Sequence, residues 1–245
     1  MSDKHIVVTG ANGGIGHQLV DHLISDGYRN ITCQYRKNND NIKKVFEKHD
    51  LSFEKHCYEA DLTDEQQVED FHLKSLSARG NTWGLINLVG VSSNAMSWKI
   101  STHDFIRVMD ANVLTTFLTC RAFSQTMREQ KGGRIINTSS IVAYAGTIGA
   151  AHYCAAKAAV VGYTKALSLE LANKNITANI LALGYFNAGM ISDLSPEIQQ
   201  SVIDKTPLKR FGNVSEISGH VKLLLSNESS FTTGQVFHIN GGCYL

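Results

Sequence analysis

The segment Ile6-Val7-Val8-Thr9-Gly10-Ala11-Asn12-Gly13-Gly14-Ile15-Gly16 constrains this chain more than any other. An apolar run breaks into a glycine-rich turn, and the turn opens a helical stretch over 15–26. Glycines there let the backbone reverse tightly and approach a ligand closely, while the helix N-terminus behind them favours a pyrophosphate. The same letters also fit an ordinary glycine-rich turn, so the motif gains meaning from its strand–turn–helix setting.

That setting continues along the chain. Apolar runs at 5–8, 31–34, 56–59, 85–89, 134–138, 177–181 and 236–239 read as strands. Helical stretches near 15–26, 40–49, 64–78, 102–128, 153–173 and 215–225 separate them. Short runs such as Ile6-Val7-Val8 suit a sheet covered on both faces, and strand–helix alternation predicts parallel crossovers. The expected class is α/β, a single doubly wound parallel sheet of about seven strands with helices on both faces. No repeat or linker divides the sequence, so one domain over 1–245 is expected. Both prolines, Pro196 and Pro207, fall in a stretch without strand period near 185–210. That stretch reads as a lid-like substrate loop with room for a short helix.

Composition narrows the function. With 43% hydrophobic and 18% charged residues the chain is neither disordered nor fibrous, and its formal charge of +1 supplies no field to draw it to nucleic acid or an acidic membrane. Its start is unlike a secretory leader, and the longest uncharged stretch, 135–156, is too polar to span a bilayer. Five scattered cysteines without a CxxC pair point to a reducing, cytoplasmic setting. The ten histidines lack metal-ligand spacing, so no metal site is expected.

A dinucleotide enzyme must also choose its ribose 2′ substituent at the end of the second strand, where an acid binds a free hydroxyl and Arg accommodates a phosphate. Here the segment is Cys33-Gln34-Tyr35-Arg36-Lys37, with no acid. Arg36 therefore favours NADP(H) over NAD(H), the alternative being two solvated surface charges. Further on, Tyr153 and Lys157 stand four apart on one helix face. A phenol titrates near 10, and a neighbouring ammonium favours its ionised form, which makes proton exchange with a carbonyl oxygen feasible. The pair alone equally describes an ordinary helix surface. Ser140 follows the fifth strand, at the sheet edge where ligands bind, and Asn112 interrupts a long helical segment. Asn112 reads either as a break in the helical ladder that holds a water or as a plain polar residue.

Taken in order, Thr9, Gly10, Gly14, Ile15, Gly16, Asp61-Leu62, Asn87, Gly90, Asn112, Ser140, Tyr153 and Lys157 resemble the short-chain dehydrogenase/reductase family over essentially the whole chain. The resemblance implies a Rossmann-type sheet and hydride exchange between a nicotinamide cofactor and a carbonyl. It implies Tyr153 as proton donor and Ser140 as hydrogen-bond partner of the substrate oxygen. Lys157 would bind the nicotinamide ribose and lower the pKa of Tyr153, and Asn112 would keep a relay water. Gly10, Asn12, Gly14, Ile15, Gly16, Arg36, Asp61, Leu62, Asn87, Gly90 and Gly184 would join Tyr153 and Lys157 around the cofactor. Tyr185, Phe186 and Met190 would line the substrate site.

The stretches 206–212 and 233–242 look most like 3-oxoacyl-[acyl-carrier-protein] reductases, which implies a 3-oxoacyl thioester substrate, carried by acyl carrier protein, and fatty acid biosynthesis. Lys131 and Lys174 stand where such reductases carry basic residues that dock the carrier; they also read as two solvated lysines near helix ends. Relatives of this kind are commonly homotetramers. The alternatives are a reductase of another small carbonyl in a specialised pathway, and a cofactor-binding scaffold without turnover. Three departures stand out: Asn87-Leu88-Val89-Gly90 for the family's Asn-Ala-Ala-Gly, Leu183-Gly184 for its Pro-Gly, and Ala188 where a hydroxyl often sits. They predict a bulkier cofactor wall and altered contacts from the loop after the sixth strand.

Overall fold

Side chains alternate across strand β1 (His5–Thr9), and the alternation sets up the layers of the molecule. In the computed structural model, which describes residues 3–189, 191 and 195–245, Ile6 and Val8 face one apolar cluster and Val7 faces another. The other strands are β2 (Ile31–Tyr35), β3 (Cys57–Glu59), β4 (Thr82–Asn87), β5 (Gly133–Ser140), β6 (Ile176–Leu183) and β7 (Val236–Ile239). They form one sheet in the order β3-β2-β1-β4-β5-β6-β7, with every pairing parallel.

Helices α1 (Gly14–Ser25), α2 (Asp40–Lys48) and α9 (Val214–Leu225) cover the first face, and α3 (Glu65–Arg79), α5 (Thr115–Gln130) and α7 (Ala151–Leu171) the second. Local chemistry starts several of them. The Asp64 carboxylate caps α3 by accepting from Gln66 N and Gln67 N at 2.9 and 3.1 Å. Asn213 and Glu216 close a capping box on α9, and Arg210 braces Glu216 with two hydrogen bonds of 2.9 and 2.7 Å.

Two segments differ from the sequence expectation. The fourth strand begins at Thr82 and ends at Asn87, because Leu88 and Val89 leave the sheet to line a cleft. The single helix expected over 102–128 is α4 (Thr102–Met109), a π-helical turn (Asp110–Leu114) and α5. Within the 185–210 stretch lies α8 (Pro196–Lys205), with proline in its first turn where a missing N–H costs nothing. A short α6 (Val142–Ala145) joins β5 to α7. Among the described residues no helix is long and apolar enough to cross a membrane.

The order of strands reverses between β1 and β4: the chain moves outward through β2 and β3, then returns to start β4 beside β1. The crevice at the carboxyl ends of these strands is where a doubly wound sheet receives a ligand.

Candidate active site

A cleft of about 420 Å³ opens at that reversal. Gly10, Asn12 and Gly13 of the first turn line it, with Arg36, Lys37 and Asn38 after β2, Asp61 and Leu62 after β3, and Leu88, Val89 and Gly90 after β4. Gly10 has φ +65°, a conformation costly for any side chain. Gly16 is a close-approach glycine, since a Cβ there would run into the Gly10 carbonyl oxygen. The Asp61 carboxyl is raised by partial burial but ends below its usual range, because Thr63 donates to it through N and Oγ1 and the Arg36 charge lies near.

At one end of this cleft four side chains from three elements converge. Ser140 ends β5; Tyr153 and Lys157 sit one turn apart on α7; Asn112 occupies the π-helical turn. The Ser140 hydroxyl lies near enough to the Tyr153 phenol to favour its ionised form. Lys157 Nζ donates to Thr138 O at 3.0 Å and lies 5.7 Å from the centroid of the Tyr153 ring. Asn112 Nδ2 donates to Val91 O and Val108 O, both at 2.8 Å, which leaves its buried Oδ1 without a hydrogen-bond partner among the described residues. A Cβ on Gly90 would stand 2.7 Å from Asn112 Oδ1 and 2.9 Å from Lys157 Nζ. The backbone of Gly90 is thus the surface on which the two polar ends meet.

Burial sets the electrostatics. Tyr153 is 9% exposed, and burial pushes its phenol up to about 12 against the opposing pull of Ser140. Lys157 is 3% exposed, and burial brings its ammonium down to about 8. At neutral pH the site therefore holds a protonated phenol and a charged lysine. That is a proton source beside a fixed positive charge, arranged to act on an oxygen atom.

Residues 4–199 match the family model for short chain dehydrogenases. This chain belongs to that family. A 3-oxoacyl-[acyl-carrier-protein] reductase of Staphylococcus epidermidis is 32% identical over 244 residues, covering 99% of this chain and all of the relative. An acetoacetyl-CoA reductase of an Acinetobacter species is 32% identical over 251 residues and the full length of both chains. A 3-oxoacyl-[acyl-carrier-protein] reductase of Buchnera aphidicola is 33% identical over 245 residues, covering 99% of this chain and 98% of the relative. As a short-chain dehydrogenase the protein is an oxidoreductase acting on the C=O/CH–OH pair.

The other expected site residues of this short-chain dehydrogenase fall partly in the cleft and partly in the core beneath it. Asn87 does not line the cleft: it is 4% exposed, accepts from Thr9 and Thr119 hydroxyls at 3.1 and 3.0 Å, and donates to Asn137 Oδ1 at 2.9 Å. The Asn12 side chain is taken by α2, accepting from Asn41 N and Ile42 N at 3.0 Å each. Ile15 packs on the apolar cluster under α1. Gly184 meets the chain beyond β7, where a Cβ would stand 2.7 Å from Asn240 Cα. Phe186 is 4% exposed and belongs to the core beneath α1 and α9 rather than to a substrate wall, because its ring fills the space against Gly212. Tyr185 packs, with Tyr244 and Cys243, against the apolar cluster that includes Tyr153. Met190 lies outside the described residues. The loop after β6 crosses the first turn so closely that a Cβ on Gly14 would run into the backbone of Gly189.

Lys131 caps α5 and Lys174 ends the 3₁₀ turn before β6. Both lie at the amino-terminal edge of the sheet. Ser140 is at the carboxyl end of β5, about 23 Å away at roughly 3.3 Å per residue.

Sequence reasoning passed over four contributors. Thr138 and Val91 act through backbone carbonyls, which carry no sequence signal. His152 is 1% exposed and pairs with Ser93 Oγ at 2.7 Å, tying the loop after β4 to the start of α7. Gln34 did carry a signal, as a polar residue between buried positions of an apolar strand, and such a residue needs partners.

Proposed function

We propose that this short-chain dehydrogenase uses NADP(H) to reduce a 3-oxoacyl thioester to the 3-hydroxyacyl form, with Tyr153 as proton donor. The observation that carries the reading is the meeting of Ser140, Tyr153, Lys157 and Asn112 at the end of the switch-point cleft. Relatives named for 3-oxoacyl-[acyl-carrier-protein] and acetoacetyl-CoA reduction, matched over their full length, favour the substrate class.

The residues present fit a nicotinamide dinucleotide. The buried, unpartnered Asn112 Oδ1 and the bare backbone of Gly90 leave polar groups facing a space that a side chain would block. Exposed Arg36 and Lys37 at the end of β2, with no acid beside them in that strand, suit a 2′-phosphate. Gly10, Gly14 and Gly16 would let the pyrophosphate approach, Asp61 and Leu62 would take the adenine end, and Lys157 the nicotinamide ribose. The bound cofactor supplies the hydride. Ser140 then holds the carbonyl oxygen, and the Tyr153 hydroxyl gives its proton to that oxygen as negative charge develops there. A phenol held near 12 stays protonated until an alkoxide forms, and an alkoxide is basic enough to take the proton. Lys157 contributes a positive charge one turn away, and the unpartnered Asn112 Oδ1 would hold a relay water through which a proton from bulk solvent returns to the phenolate.

Our reading places the enzyme in the cytoplasm, since its five cysteines are unpaired. It also takes the enzyme to be a homotetramer, since Phe117 on α5 and Leu169 on α7 are 38% and 79% exposed. A carrier protein docked on Lys131 and Lys174 would have to serve the pocket of another copy, given their distance from Ser140.

The test follows NADPH absorbance with acetoacetyl thioesters, free and carrier-bound, beside a panel of simple ketones. The reading requires kcat/KM for the thioesters to exceed that for ketones by at least about tenfold. Preference for a ketone would assign another carbonyl substrate. NADPH binding without turnover on any of them would leave a scaffold.

A further inference from the structure

The first glycine amide of the phosphate turn is already occupied. Gly10 N–H donates to Gln34 Oε1 at 2.9 Å, and Gln34 Nε2 donates onward to Ala60 O at 2.6 Å. Gln34 is 2% exposed and lies in β2, between β1 and β3 in the sheet. Its own carbonyl accepts from Ala11 N at 2.9 Å. Side chain and backbone of one residue thus hold the turn after β1, and the same carboxamide reaches the exit of β3.

The two atoms it joins belong to two separate segments beside the cleft, the exits of β1 and β3. Gly10 opens the phosphate turn, while Ala60 immediately precedes Asp61 and Leu62. Oxygen and nitrogen of a primary amide are fixed in one plane, so a bond at each end sets a separation as well as an attraction. Packing alone does not call for this residue. Ile31 and Cys33 turn to the opposite, apolar face of β2, and the buried amide of Gln34 is tolerated on its own face because both its ends are satisfied.

We propose that Gln34 is a positioning residue for the dinucleotide: its carboxamide fixes the spacing between the pyrophosphate turn and the adenosine end of the cleft. By taking the Gly10 N–H it also leaves anion binding to the first-turn amides of α1, which a helix does not pair internally. Asn12 steadies the far side of the same turn through Asn41 N and Ile42 N, so the turn is held from both flanks by side-chain amides.

This inference rests on the cofactor assignment above, and the experiment separates the two. Dissociation constants are measured by fluorescence titration for NADPH, which spans both subsites, and by calorimetry for adenosine 2′-monophosphate, which occupies the adenosine end alone. Gln34→Met keeps the length of the side chain and removes both hydrogen bonds. It should weaken NADPH binding by about tenfold or more while changing the adenosine 2′-monophosphate constant by less than about threefold, since lost preorganisation penalises the bridging ligand. A merely structural role would move both constants together. Gln34→Asn, one methylene too short to join both segments, should show the same split and serves if the methionine variant does not fold. Equal weakening of both ligands, or unchanged NADPH binding in a folded variant, overturns the role of Gln34. Failure of the parent protein to bind NADPH overturns the cofactor assignment instead.

Discussion

Gly90→Ala tests the site with one methyl group. The added Cβ would stand 2.7 Å from Asn112 Oδ1 and 2.9 Å from Lys157 Nζ, well inside ordinary contact at 3.4 Å. The oxygen must then retreat by about 0.7 Å and the nitrogen by about 0.5 Å, if backbone stays in place. Neither is free to do so. Lys157 Nζ is held to Thr138 O at 3.0 Å, and the Asn112 amide to Val91 O and Val108 O at 2.8 Å each. A misplacement near 1 Å costs on the order of 10²-fold in rate, so displacements of this size should lower kcat/KM by about 30- to 100-fold, or roughly 2 to 3 kcal/mol. Overpacking should also remove about 1–3 kcal/mol of stability, read as a fall of a few degrees in Tm. Gly162→Ala is the control, because a Cβ there meets open space on the helix that carries Lys157. It should leave kcat/KM unchanged and add about 0.5–1 kcal/mol of stability. Steady-state NADPH oxidation with an acetoacetyl thioester and thermal melts read both variants. A Gly90→Ala enzyme keeping more than half of the parent kcat/KM would refute the argument that Lys157 and Asn112 act from these positions.

Tyr153→Phe should reduce kcat by about 10²–10⁴-fold and leave the NADPH dissociation constant within about twofold; full turnover would remove Tyr153 as the proton donor. Burial holds the Lys157 ammonium at about 8, so the reduction rate should fall as pH rises through that value and the positive charge is lost. A pH–rate profile flat from about 7 to 9 would show that the charge on Lys157 does not matter to the reaction. His5 at the opposite edge of the sheet is brought down to about 4, chiefly by burial and against a hydrogen bond to Gly80 O. An unfolded histidine titrates near 6.5 and takes up a proton that the native His5 refuses, so its stabilisation is complete above about pH 6.5 and is lost as pH falls towards 4, by roughly 3 kcal/mol. Urea unfolding of the parent and of His5→Gln at about pH 7 and 4.5 checks this; an equally steep loss in the variant would assign the acid sensitivity elsewhere.

The parallel sheet was legible because its strands are short and apolar on both sides. Val236–Ile239 stands where periodicity placed it, and β1, β2 and β6 differ only at their ends. Periodicity failed where apolar side chains serve a surface rather than a layer. Leu88 and Val89 read as strand, yet they line the cleft, while Thr82, Trp83 and Gly84 hide the true start of β4. The meeting of Ser140, Tyr153 and Lys157 could be anticipated because their chemistry and order are specific. The π-helical turn could only be suspected from Asn112, since its cause includes a bond to Val91 O on a different segment. Asn87 misled for a related reason: its register opposite Asn137 is set by strand pairing, and only that pairing shows its amide to be committed inside the sheet.

That buried amide gives the site its frame. Asn87 Nδ2 donates to Asn137 Oδ1 across β4 and β5 at 2.9 Å. Thr119 on α5 donates to Asn87 Oδ1 at 3.0 Å, and Asn137 Nδ2 donates to Thr164 Oγ1 on α7 at 2.9 Å. One polar layer thus ties β4 and β5 to α5 and α7. Asn112 precedes Thr119 by seven residues, and Lys157 precedes Thr164 by the same interval. Two helical turns span about 10 Å. Along β5, Ser140 lies three residues downstream of Asn137, again about 10 Å at an extended rise, and the loop after β4 brings Gly90 to the same place, where a Cβ would stand 2.7 Å from Asn112 Oδ1. Helices running antiparallel to the strands therefore bring Asn112, Lys157, Gly90 and Ser140 to one level, a single step above the amide layer. The spacing at the site is inherited from hydrogen bonds in the buried core together with the loop that carries Gly90, which is how groups on separate elements can be held within the tolerance that proton transfer demands.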